Sequence, residues 1–294
     1  RPVALSLVIP HEGADEPQLT DAQLERARRG VARYYAELVV SARPRPERFW
    51  PRYAEQLDAV LEARPAVFSF VYGVPEPDVL DRCRARGIAT IGTATTVDEA
   101  LHLERAGVDM IVATGFEAGG HRVSFLRPPE DCLTGTLALV PQVVSAVSCP
   151  VIAAGGIADG RGVAAALVLG AAGAQIGTAF LACRESNASD AHREALFGPA
   201  AADTALTRAF TGRLARGIRH RFIDEQREHS GDLAPYPVQA WLTAPIKAAA
   251  ARAGREDLLS LWAGQAAPLL RHRDAKALFE ALVVETGEAL SVRR

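Results

Sequence analysis

The chain has 294 residues, enough for one large α/β domain or two smaller ones. Its composition, 49% hydrophobic and 23% charged, allows an ample buried core, and a formal net charge of -2 gives no general attraction to nucleic acid or anionic lipid. Four scattered cysteines, Cys83, Cys132, Cys149 and Cys183, lack C-x-x-C and metal-ligand spacing, so they read as reduced thiols and favour a cytoplasmic location.

In chain order, Val3–Ile9 (VALSLVI) reads as the first strand. Residues 10–65 form a long excursion, with a helix pattern around Asp21–Val40, a Pro/Arg break and a second helix at Arg52–Arg64. An insertion of this size on a compact core reads as a functional element such as a lid. Further strands are predicted at Ala66–Tyr72, Ile88–Gly92, Asp109–Thr114, Pro150–Ala154 and Ala174–Gly177. They are nearly continuously apolar, as strands covered on both faces should be. Helices are predicted between them at Glu76–Arg86, Thr96–Ala106, Gly135–Val147 and Gly160–Gly170, each followed by glycine or a proline-led strand. The run Val163–Cys183 is long and apolar enough to mimic a membrane span, but Gly170, Gly173 and Gly177 punctuate it. A buried helix, a turn and a buried strand account for it, so no membrane span is expected. After Ala182 the pattern turns helical, through a mixed stretch at Thr204–Ile223, then Val238–Arg252 and Ala275–Val284.

Repeated βα units predict a parallel sheet of the TIM (β/α)8 type. The phrases ARGI, ERAGVD and VLGAAGAQ repeat one device, a helix turned by glycine into a buried strand. Eight such units take about 250 residues, and only six strands are visible, so the first two βα units are expected to be absent from the chain shown. The expected division is a core of residues 1–9 and 66–182, a helical insertion 10–65, and a mostly helical C-terminal region 183–294 packing on the barrel.

Chemistry gathers at the predicted strand ends. The segment PVIAAGGIADGRG is a buried strand running into Gly155-Gly156 and a helix opening near Asp159; one unit later a strand ends in Gly177-Thr178. In barrels the loops after the last two strands commonly bind phosphate, through backbone N–H groups and the helix dipole. Neither G-x-G-x-x-G nor G-x-x-x-x-G-K-[ST] occurs, against a Rossmann or P-loop site, and no Ser sits in G-x-S-x-G. His102, His192, His220, His229 and His272 lie on charged, solvated-looking segments without paired ligands, so no metal is expected. His121 differs. It follows Gly119-Gly120 at the end of a buried strand, where a barrel keeps its catalytic groups. Glu117 reads as a residue that fixes the loop or the histidine in preference to a base, and Tyr236, between Pro235 and Pro237, as part of a rigid turn or as one that could line the substrate mouth.

The segments GFEAGGHR (115–122), AAGGIADG (153–160), QIGTAFL (175–181) and YPVQAWLTAPIKAAA with LWAGQ (236–265) resemble the nitronate monooxygenase family. The resemblance implies an FMN-binding TIM barrel that oxidises alkyl nitronates with O2 to a carbonyl compound and nitrite. Such proteins begin with two further βα units, in keeping with the strand count. By resemblance, Gly119, Gly155, Gly156, Gln175, Ile176, Gly177 and Thr178 hold FMN and His121 is catalytic. Thr114 stands where the family usually has Gln, which shortens or removes a flavin contact. Gln265 reads either as a flavin-side residue or as a helix-end cap. A flavin-dependent enoyl-acyl-carrier-protein reductase using NAD(P)H, which shares the Gly-Gly-His turn, is the rival enzyme; a non-catalytic flavin-binding protein is the third reading. The expected partners are a small nitronate and O2, with room for a homodimer.

Overall fold

The structure is a computed structural model that describes residues 3–10 and 19–291. Parts of the expected core, insertion and C-terminal region (residues 1–2, 11–18 and 292–294) lie outside the described residues. The elements in chain order are β1 (Ala4–Val8), α1 (Asp21–Glu37), α2 (Tyr53–Ala63), β2 (Val67–Val71), α3 (Pro77–Arg84), β3 (Ala89–Ala94), α4 (Val97–Ala106) and β4 (Met110–Thr114). There follow β5 (Gly120–His121), α5 (Thr136–Ala146), β6 (Val151–Ala154), α6 (Gly160–Val168), β7 (Gly173–Gln175), α7 (Thr178–Leu181) and α8 (Asp190–Phe197). The last are β8 (Thr204–Thr207), β9 (Ala215–Ile218), α9 (Arg221–Glu228), α10 (Val238–Arg252) and α11 (Ala275–Ser291).

Six strands pair in parallel in the order β1-β2-β3-β4-β6-β7, the chain order of a TIM-type α/β sheet, with helices as the crossovers. Local chemistry sets the helix limits. Thr96 caps α4 by accepting from Glu99 N, and α4 ends at left-handed Gly107; Asp159 caps α6 by accepting from Gly162 N. The inner strands carry the core, with Phe68, Phe70, Ile111 and Ala153 fully buried against Leu80, Leu103 and Val143. β1 departs from the expectation of strands covered on both faces. Most of its residues are exposed, because among the described residues it is an edge that pairs only with β2.

A second, antiparallel sheet in the order β5-β9-β8 corrects the helical reading of Thr204–Ile223. The stretch Thr-Ala-Leu-Thr alternates half-buried with buried, and Ala-Arg-Gly-Ile is buried throughout. Buried backbone of that kind needs ladder partners, which β5 supplies through Gly120↔Arg216 and His121↔Ala215. Helix begins only at Arg221. The Val163–Cys183 run folds as the end of α6, then β7, then α7, and no helix among the described residues is long and apolar enough to cross a membrane. Helix α1 of the insertion packs on α10, and its Val31 and Tyr34 share a core with Phe210, Phe222 and Ile246. Helix α11 lies along α6.

Candidate active site

A cleft of about 360 Å³ opens at the C-terminal ends of the parallel strands, within the range of small-ligand sites. Its wall takes Thr93 from β3, Thr114 from β4, Ala154 from β6 and Gln175 from β7, and Trp262 from a later loop. The two glycine turns face this space. Gly155 and Gly156 follow β6 with φ of 94° and 70°, a backbone that an L side chain rarely adopts. Their loop is tied down by Thr136, whose Oγ1 donates to Gly155 O at 2.9 Å. Glu117 supports the same corner: its carboxylate accepts from Thr136 N at 2.9 and 3.0 Å, supplying a cap that Gly135 cannot give α5. Glu117 thus fixes the loop and makes no bond to His121.

At the other turn, Thr178 Oγ1 accepts from Gly264 N at 3.0 Å. A Cβ on Gly119 would lie 2.6 Å from that same Gly264 nitrogen, so glycine is required for the two loops to meet. Thr114, Gly119, His121, Gly155, Gly156, Gln175, Gly177 and Thr178 all line the cleft. Ile176 does not; it packs, partly buried, against two of the apolar cores. Gln265 lies on an adjoining cavity of about 350 Å³ that Gly155 and Gly156 also border, and its N–H donates to Glu117 O at 2.9 Å.

His121 sits on β5, held to β9, with Nε2 2.9 Å from Thr211 Oγ1. Its ring lies 5.8 Å from Trp262 and 6.4 Å from Tyr236, centroid to centroid. Burial, then the positive charges of Arg213 and Lys247, push its pKa down to about 4, so the imidazole is neutral near pH 7. Lys247 borders a separate cavity of about 410 Å³ behind Trp262.

Several residues around the site carry no recognisable motif. Arg122, 1% exposed, donates to Gly115 O at 2.7 Å and Cys132 O at 2.9 Å, and buried Arg216 donates to Phe116 O at 3.0 Å. Together they staple the turn that presents His121. Fully buried Glu99 accepts from Thr95 N at 2.7 Å and Phe125 N at 2.6 Å, joining the end of β3 to the chain beyond β5. None stands out from its neighbours in the sequence, and only the partners in the fold explain each one. Two other histidines correct the solvated reading: His192 and His220 turn inward, each with Nε2 2.9 Å from a carbonyl, of Trp262 and Leu259 respectively. Burial lowers both pKa values. No group of three or more potential metal ligands occurs among the described residues.

A barrel-type parallel sheet with a cleft at its strand C-termini, glycine turns on one wall and a neutral imidazole on another, defines an α/β-barrel enzyme site. The chain belongs to the nitronate monooxygenase family, whose model matches residues 1–285. A probable nitronate monooxygenase of Staphylococcus aureus (strain Newman) is 45% identical over 238 residues, covering 81% of this chain and 67% of that relative. Among solved structures, nitroalkane oxidase from Streptomyces ansochromogenes is 40% identical with a TM-score of 0.89, covering all of this chain and 83% of its own. FabK from Thermotoga maritima is more distant, 31% identical with a TM-score of 0.69, covering 83% of this chain and 75% of its own.

Proposed function

We propose that this protein oxidises alkyl nitronates with O2 to a carbonyl compound and nitrite, using FMN bound in the cleft, with His121 at the reacting end. The observation that carries the reading is a neutral, half-buried imidazole on the same cleft as two glycine turns, in a chain of this family. The residues fit a flavin. Gly155 and Gly156 have positive φ and Gly177 has open space where a Cβ would stand, so backbone can approach a phosphate at either turn. Thr178 opens α7, and the helix leaves its N–H without an internal acceptor. Val71, Val112, Ala154 and Trp262 offer apolar surface for a ring system, and Thr114 is a shorter contact than the family's usual Gln.

The flavin, when bound, supplies the oxidation of the nitronate and the passage of electrons to O2. The chain supplies position and proton control. Thr211 Oγ1 has one proton; given to Arg213 O at 3.3 Å, it leaves the oxygen to accept from Nε2–H of His121. In that tautomer Nδ1 keeps its lone pair and can accept the proton that a nitroalkane carbon loses. The four thiols are free, three of them buried, which supports a reducing compartment such as the cytoplasm.

Purified protein should contain FMN, identified by mass after release. Under anaerobic conditions its visible spectrum should bleach with propane-2-nitronate faster than with NADPH. Bleaching by NADPH alone would favour the reductase reading instead.

A further inference from the structure

Because His121 is held neutral, it cannot supply a counter-charge for an anionic substrate. A candidate is Arg213, the larger of the two positive charges that act on His121, whose guanidinium centre lies 3.9 Å from the Tyr72 ring centroid and 4.1 Å from that of Tyr236. Tyr236 is also the ring that meets His121 edge-on, and Arg213 N donates to Thr211 Oγ1, the hydroxyl bonded to His121. Tyr72 follows Val71, a residue of the cleft wall, and holds φ of 69°, an uncommon backbone for an aromatic residue. Such strain at a cleft persists where the surroundings need the ring in that position. Both rings lie against the guanidinium, and it shares a side-chain hydrogen bond with Tyr72, which leaves other donors of its five-donor planar fork for a further partner. That geometry suits a planar oxyanion with two oxygens, which a guanidinium grips in a two-pronged hydrogen bond. Among the described residues no carboxylate forms an ion pair with Arg213, whereas Arg208 and Arg219 in the same region both have one.

We infer that Arg213, held against the rings of Tyr72 and Tyr236, holds the anionic nitro group of the nitronate and so selects the nitronate over the neutral nitroalkane. The inference rests on nitronate oxidation at this cleft and adds the residue that confers charge selectivity. A nitronate carries its negative charge over the two coplanar oxygens of its nitrogen, the pattern that the guanidinium edge matches. A neutral nitroalkane presents the same oxygens with less charge, so loss of the cation should penalise the two forms unequally. The fixed fork also explains why lysine would be an imperfect substitute.

The test uses the flavin-loaded protein and the variants Arg213→Gln and Arg213→Lys, with flavin content checked in each. KM and kcat are measured with pre-formed propane-2-nitronate and with neutral 2-nitropropane. Nitrate, a planar oxyanion, is titrated against the visible flavin spectrum. Arg213→Gln should raise KM for the nitronate about tenfold or more, the effect expected for one charged hydrogen bond. Its kcat, and its KM for 2-nitropropane, should stay within about threefold, and nitrate binding should weaken in parallel with the nitronate. Arg213→Lys should recover part of the loss. Equal KM changes for both substrates, or unchanged nitrate binding in Arg213→Gln, would overturn the inference. If Arg213→Gln loses its flavin, Arg213→Lys decides: weaker nitrate binding with flavin retained supports the role, and unchanged binding refutes it. Should the unmutated protein fail to oxidise nitronate, the functional reading falls by itself, and the nitrate titration still decides the role of Arg213.

Discussion

At the residue scale, two substitutions separate chemistry from cofactor binding. His121→Asn keeps a polar side chain but removes the titrating imidazole. It should lower kcat/KM for neutral 2-nitropropane by about 10²–10⁴, the usual contribution of general-base catalysis. Pre-formed nitronate should change by no more than about threefold, since the neutral ring already spends its N–H on Thr211 and has none to give the anion. Undiminished turnover of both substrates, with flavin bound, would reduce His121 to a structural role. The low pKa of His121 also sets a pH limit. Since the neutral form prevails above about 4, the acid limb of kcat/KM for 2-nitropropane should fall near pH 4 and not near 6.5, and should vanish in His121→Asn. A limb near 6.5 in the unmutated protein would contradict the burial account. Gly156→Asp tests the other end of the cleft. Its φ of 70° disfavours any Cβ, one would stand 3.3 Å from Glu117 Cβ, and a carboxylate would repel a phosphate. FMN affinity should drop at least about a hundredfold, by roughly 3 kcal/mol, measured as flavin retained on dialysis. Retention equal to the unmutated protein would remove this turn from the phosphate site.

At the element scale, the loop from β4 to β5 is presented by packing from four directions. Glu117 caps α5 from a distance of 19 residues, Arg122 and Arg216 bind its carbonyls, and Gly119 allows Gly264 to approach. Glu117→Ala removes a helix cap and the brace behind Gly155-Gly156. The expected cost is about 1–2 kcal/mol in urea unfolding, with flavin affinity reduced as well. If unfolding is unaffected, the cap contributes nothing and the loop is held by its arginines alone. Of this, only the part of Glu117 in fixing the turn was legible in the sequence; its cap on α5, the two arginines and the approach of Gly264 were not. The strand before the loop was, because MIVAT is buried on both faces and reads so. The two-residue strand at His121 was not, since it exists only by pairing with Ala215, nearly a hundred residues later. The same distant pairing misled the reading of Thr204–Ile223, whose mixed composition shows no period of its own.

At the scale of the whole molecule, the insertion and the C-terminal region are joined by a cluster of charges. Glu37, the last residue of α1, lies 2.6 Å from Arg221 and 2.7 Å from Arg255, and both arginines reach Asp257. The hydrogen bonds from Arg221 are the first cause of a Glu37 pKa of about 2. A depressed carboxylate stabilises the fold fully above the ordinary value near 4.5 and loses that contribution as pH falls towards 2. Glu37→Gln should therefore destabilise the protein at pH 7 by about 1 kcal/mol at most, since the cluster is near the surface. The gap from the unmutated protein should close between pH 4.5 and 2, followed by urea midpoints across that range. A gap of constant size down to pH 2 would show that shape, and not charge, accounts for the effect.

The sequence by itself determined the βα order, the strands of the parallel sheet, the Gly155-Gly156 and Gly177-Thr178 turns, and His121 as the residue to watch. Those features are local: apolar runs, helix caps and glycine turns are written within a few residues of one another. Only the tertiary structure decided that Ile176 faces the core, that Gln265 borders a neighbouring cavity, and that His192 and His220 point inward. It alone brought Tyr72, Arg213 and Tyr236 together beside His121. Such placements depend on contacts between segments far apart in the chain, where side-chain direction is set by the partner's packing and not by neighbouring sequence.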